Sequence, residues 1–114
     1  MTQNANPLKL NPLQLRTLTL LQALGRIPQA MEAGPGEGEV TIRRFPAAHG
    51  DHFHLGDAVV RGADATGLTN QAVWKALEHK GLARCDVPNA VVLTTEGVVY
   101  ETGIAHEILH RSSH

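Results

Sequence analysis

Cysteine is all but missing from this chain of 114 residues, and aromatic side chains are scarce. The single cysteine, Cys85, excludes an internal disulfide and fits a reducing compartment. Two Phe, one Trp and one Tyr cannot fill a core, so Leu, Val and Ala must do so. Neither sign of charge is in excess: ten basic residues stand against eleven acidic ones, a formal net charge of −1. Dedicated nucleic-acid binders are often strongly basic. Any DNA binding here must therefore come from a local patch or from the symmetry of a dimer. No apolar run approaches the roughly 18 residues of a membrane span. No charged segment followed by an apolar one opens the chain as a signal peptide does. The expectation is a soluble cytoplasmic protein with no membrane partner. A Gly-rich phosphate loop after a strand and a nucleophile elbow are both missing, so the chain reads as a non-enzyme.

What is present is a globular composition, 42% apolar, at a length suited to one domain with a modest core. Residues 1–10 carry no hydrophobic pattern and are expected to form a flexible N-terminus, leaving 11–114 as the domain. Asn11-Pro12-Leu13-Gln14 is a helix start: Asn11 caps, Pro12 suits the first turn, and Gln14 completes a capping box. Leu13, Leu20, Leu21 and Leu24 then share one face, which Leu18 widens. Gly25 and Pro28 end the helix. A stripe this wide packs either across the core or against a second subunit, and both readings stay open.

Gly34-Pro35-Gly36-Glu37-Gly38 is a loop, and Val40–Phe45 is a strand rich in β-formers. His52-Phe53-His54-Leu55 reads as a return strand. Asp57 can cap a helix over roughly 57–65, with Val59, Val60 and Ala63 facing the core. Thr66-Gly67-Leu68 is then a turn, with Gly67 free to take a positive φ. Thr69 caps a second helix over roughly 70–80, which Gly81 stops. Leu82–Asp86 and Ala90–Thr94 form a hairpin joined at Val87-Pro88-Asn89. From about Thr95 a C-terminal helix is favoured, with Val98-Val99-Tyr100 as a third hairpin strand the alternative.

The ordered pieces Leu68-Thr69-Asn70-Gln71-Ala72-Val73-Trp74-Lys75-Ala76-Leu77, then Lys80-Gly81-Leu82, then Val92-Leu93-Thr94-Thr95-Glu96-Gly97 resemble bacterial winged-helix transcription regulators. The resemblance covers residues 57–100 and, loosely, the first helix. It implies an α+β fold: a winged helix-turn-helix of three or four helices with a small antiparallel β-wing. It also implies double-stranded DNA as partner, a transcriptional role and a homodimer. The helix over 70–80 is about one turn shorter than in many of these regulators.

On that helix Val73, Leu77 and Ala76 face the core, and Trp74 lies at the edge of that face, in a packing position. The opposite side carries Gln71, Lys75, Glu78 and His79. Asn70 and Gln71 stand at the N-terminal end, where recognition helices meet base edges. Gln and Asn can read adenine, and Lys can reach guanine or phosphate. Thr69 and the first-turn N–H groups suit a phosphate, and Arg61 and Arg84 are candidates for backbone contacts. The DNA-binding set is thus Thr69, Asn70, Gln71, Lys75, His79, Arg61 and Arg84. Against it, Arg61, Lys75, Lys80 and Arg84 are nearly balanced by Asp57, Asp64 and Glu78. That balance motivates an alternative, a winged-helix module that binds protein.

Seven histidines are unusual. His49, Asp51, His52 and His54 crowd one turn, and on a strand His52 and His54 point to one side, a spacing that can hold Zn, Ni or Cu through imidazole nitrogens. His106-Glu107-Ile108-Leu109-His110 matches H-E-x-x-H, whose chemistry needs both imidazoles one turn apart on a helix. A terminal helix offers little cleft to enclose a substrate. The favoured reading is a solvated face opposite Ile104, Ile108 and Leu109. No cofactor is expected. A metal-responsive regulator using His49, His52 and His54, or His106 and His110, is a further alternative.

Overall fold

Asn11 begins the first helix as its composition requires. Its side chain accepts a hydrogen bond from Gln14 N, and Gln14 returns one to the Asn11 backbone, at 2.8 and 3.0 Å. The helix, α1, runs Pro12–Leu24. The computed structural model describes residues 6–48, 50–85 and 90–111. The hairpin tip Val87-Pro88-Asn89, and likewise His49 and His114, lie outside the described residues. After α1 come strands β1 (Met31–Ala33), β2 (Val40–Ile42), β3 (His52–Leu55) and β4 (Ala58–Arg61), then a single 3₁₀ turn at Gly62–Asp64. Helix α2 spans Gln71–His79, followed by β5 (Ala83–Arg84) and β6 (Val91–Leu93). The chain closes with short helices α3 (Thr95–Val99) and α4 (Ala105–Ile108) and strand β7 (His110–Arg111).

The strands form two antiparallel sheets, ordered β1-β2-β6-β5 and β3-β4-β7. In the first, the row Glu32, Thr41, Val92, Arg84 lies on the face away from the core. The alternate residues Ile42, Val91, Leu93 and Ala83 join the core on the other face. Leu18, Leu20, Leu21 and Leu24 of α1 are completely or almost completely buried in that same core. The leucine stripe is therefore covered by the chain's own α2, α3 and α4. Burying four such side chains contributes about 6–12 kcal/mol of transfer free energy before chain entropy is counted.

The fold is α+β, with more β-structure than expected. The helix expected over 57–65 does not form. Ala58–Arg61 is a strand paired with His52–Leu55, and the two are joined by Gly56-Asp57, with Gly56 at φ +62°. A Gly in the left-handed region at the first position of a two-residue turn matches the right-handed twist of a hairpin. The β-branched pair Val59-Val60 then prefers the pleat to a helix. Of the three core candidates there, Val60 is fully buried, Val59 only partly, and Ala63 is exposed.

Two smaller expectations also change. Gly67 does not take a positive φ. Glycine is needed there because the turn runs directly onto α1, where an added Cβ would collide with Thr17 Oγ1. Residues 6–10 are held down, not loose: Tyr100 Oη donates to Asn6 Oδ1 at 2.7 Å and accepts from Leu8 N at 3.0 Å, while Leu10 is buried. Among the described residues no helix is long and apolar enough to cross a membrane.

Candidate nucleic-acid interface

Helix α2 packs one side on α1 and β5 and leaves the other open. Val73, Trp74 and Leu77 are buried, whereas Thr69, Asn70, Gln71, Lys75, Glu78 and His79 are exposed. Trp74 is a packing residue. Its ring stacks on Phe45 with centroids 5.6 Å apart, and its Nε1 donates to Leu68 O at 3.0 Å. The helix is capped by Asn70, not by Thr69: Asn70 Oδ1 accepts from Ala72 N at 2.9 Å. That bond engages the oxygen with which Asn70 would read an adenine.

The end of α2 explains the Lys80-Gly81-Leu82 motif. Gly81, at φ +79°, follows the last turn, Leu82 N donates to Leu77 O at 3.0 Å and Gly81 N to Glu78 O at 2.9 Å. This is the paired closure of a helix by a left-handed glycine. The Leu-Thr-Thr-Glu-Gly motif locks onto the same turn. Thr94 N donates to Leu82 O at 3.1 Å and Thr94 Oγ1 donates to Gly81 O at 2.7 Å. Thr94 Oγ1 also accepts from Gly97 N, capping α3. Thr95 Oγ1 donates to Glu37 O at 3.0 Å, holding the β1–β2 loop. Both motifs therefore fix how α2, the β5–β6 hairpin and α3 meet, and none of these bonds reaches the exposed face of α2.

Both arginines of the expected set are engaged inside the chain. Arg84 grips Glu39 with two parallel bonds, Nη1 to Oε2 at 2.7 Å and Nη2 to Oε1 at 2.8 Å. Charge-assisted pairs of this shape are strong and directional. The Arg84 fork holds the Glu39 carboxyl below its ordinary range, helped by the Gly36 N–H and opposed by burial. Glu39 is the one residue of the region that sequence reasoning passed over. It is an acidic residue at the edge of a glycine-rich loop, and only the strand order that brings β5 near β2 reveals its partner. Arg61 pairs with Asp64 at 3.3 Å and lines a separate cleft with Pro12, Leu15 and Glu107. Lys80 Nζ donates to Leu8 O at 3.1 Å. What remains outward on α2 is Gln71, Lys75, Glu78 and His79, with Thr69 beside them.

The two histidine groups separate clearly. His52 and His54 come together on β3, Nε2 to Nε2 at 3.2 Å. His106 and His110 do not share a helical face, because α4 ends at Ile108 and His110 belongs to β7. The H-E-x-x-H match therefore lacks the helix on which its chemistry depends. Cys85 is half-buried just after β5. Compared with known proteins, the chain matches no family model, no curated protein and no solved structure.

Proposed function

We propose that this protein is a small winged-helix-like module that contacts double-stranded DNA through α2 and the adjoining β5–β6 hairpin, in a transcriptional role. One observation carries the reading: α2 is gripped on its apolar side by α1 and β5, while its polar side, Thr69, Gln71, Lys75, Glu78 and His79, faces outward. Gln71 in the first turn is the base-reading residue and Lys75 the phosphate or guanine contact. Arg84 drops out of the contact set, since Glu39 holds it with two short bonds, whereas Arg61 is exposed and only loosely paired with Asp64. Binding per copy then rests on one or two cations and is weak. A homodimer supplies the second copy, and with the α1 stripe consumed internally, Val99 on α3 is the large exposed apolar residue open to it among the described residues. Fluorescence anisotropy on mixed genomic fragments at low salt tests the reading, and binding that ignores Gln71→Ala with Lys75→Ala overturns it.

A specific observation favours a second reading, a protein-binding module. Glu78 stands exposed between Lys75 and His79, and Glu39 neutralises Arg84 on β5. A face so balanced in charge suits a protein surface better than a polyanion. Pull-down of a stoichiometric protein that survives nuclease treatment, together with no DNA binding at low salt, separates it from the first.

A further inference from the structure

The approach of His52 to His54 is independent of the α2 surface and has its own chemistry. The two residues alternate with Phe53 and Leu55 along β3. Phe53 and Leu55 turn to the core, while His52 and His54 turn outward. Their Nε2 atoms stand 3.2 Å apart, with the rings at 80° and centroids 4.9 Å apart. Zinc–imidazole bonds of about 2.0–2.1 Å separate two ligand nitrogens by about 3.3 Å at a tetrahedral angle and about 2.9 Å at a right angle. The observed separation lies between those values. Asp51 Oδ1 lies 3.5 Å from His52 Nδ1, on the side of the ring away from His54. A carboxylate there favours the Nδ1–H tautomer and turns the Nε2 lone pair outward, as outer-shell carboxylates do for metal-bound histidine.

We propose that His52 and His54 form a two-imidazole chelate for a late first-row divalent cation, Cu²⁺, Ni²⁺ or Zn²⁺. Imidazole nitrogens suit these ions, and Cu²⁺ binds tightest of the three. Without metal, the short approach is closed by one N–H donating to the facing nitrogen. On binding, His54 shifts its proton to Nδ1 and both Nε2 lone pairs turn to the ion, with no net proton release. Among the described residues no set of three ligating side chains gathers at one point. His110 occupies the same outer face of the β3-β4-β7 sheet, opposite Val59, which in turn pairs with His54. It stands two strands away, about 10 Å along the sheet, and its side chain is not gathered with theirs.

The test is calorimetric titration of the full chain, free of any affinity tag, with Ni²⁺ and with Zn²⁺, followed by Cu²⁺ electron paramagnetic resonance. One equivalent should bind, and the Cu²⁺ spectrum should carry hyperfine structure from two nitrogens. His54 is exposed, so His54→Asn should fold normally while losing at least about tenfold in affinity, in line with other changes near metal ligands. His52→Asn should do the same, and the double change His106→Asn, His110→Asn should not. Less than a tenth of an equivalent bound to the unmodified chain overturns the proposal. So does either single variant that keeps the original affinity.

Discussion

Arg84 and Glu39 are joined by two hydrogen bonds of 2.7 and 2.8 Å across the outer face of the first sheet. The Arg84 guanidinium is thus committed to the fold, with Glu39 largely covered and Arg84 about one-third exposed. The pair ties the β1–β2 loop to β5, and so fixes where the hairpin stands beside α2.

The Glu39 carboxyl is held below its ordinary value by that arginine. A depressed folded-state pKa stabilises the native protein at pH values above the unfolded value, and this contribution disappears as pH falls through the folded value. Melting experiments between pH 6 and pH 3 should therefore show an acid-side loss of stability beginning below about pH 4.5. Glu39→Gln should flatten that limb, leaving less dependence on pH across the window. An unchanged acid limb in the variant would separate the pair from acid unfolding.

Gly97 lets α3 lie directly on the Leu82 carbonyl, and a Cβ at that position would strike the oxygen. Gly97→Ala should cost about 1–3 kcal/mol, as overpacking does, and lower Tm by roughly 5–20 °C for a domain of this size. Thermal unfolding within two degrees of the original protein would contradict the close approach.

Gly67 meets Thr17, whose Oγ1 is buried without a hydrogen-bond partner among the described residues. Gly67→Ala should destabilise by about 1–3 kcal/mol. In a Thr17→Ala background the same change should cost much less, because the colliding atom is gone. A double-mutant cycle measures this coupling; strict additivity would show that the two residues do not press on one another.

Trp74 is the only tryptophan and is buried against Phe45. Its emission should be blue-shifted in the native protein, move red on unfolding, and stay unchanged when DNA is added. Trp74→Phe should cost about 1–3 kcal/mol by leaving the Leu68 carbonyl unpaired. Quenching by DNA in proportion to binding would instead place the ring on bases.

The sequence discloses most of this architecture wherever a local signal decides the backbone. The Asn11–Gln14 capping box, the Gly81 stop and the alternation of His52-Phe53-His54-Leu55 each appear in the structure as read. The region 57–65 reads wrongly because Asp57 offers a helix cap, while the stronger cue, Gly56-Asp57 between two β-branched or aromatic runs, marks a hairpin. Asn70 takes the capping role expected of Thr69, a shift of one residue at a helix end, where boundaries are least determined. The exposed set on α2 was legible from 3.6-residue periodicity alone. The engagement of Arg84 by Glu39 was not, because it depends on strand order, a long-range property that local pattern does not encode.

Binding of double-stranded DNA by the exposed side of α2 is the central claim, and the salt dependence of affinity tests it most directly. Anisotropy titrations from about 20 to 150 mM salt should give a shallow slope of log affinity against log salt, about −1 to −2 per copy, matching Lys75 and at most one further cation at about −0.9 per neutralised phosphate. Lys75→Ala should remove about one unit of it, and Gln71→Ala should weaken binding without changing it. A slope unaffected by Lys75→Ala, or no binding at the lowest salt, contradicts the account.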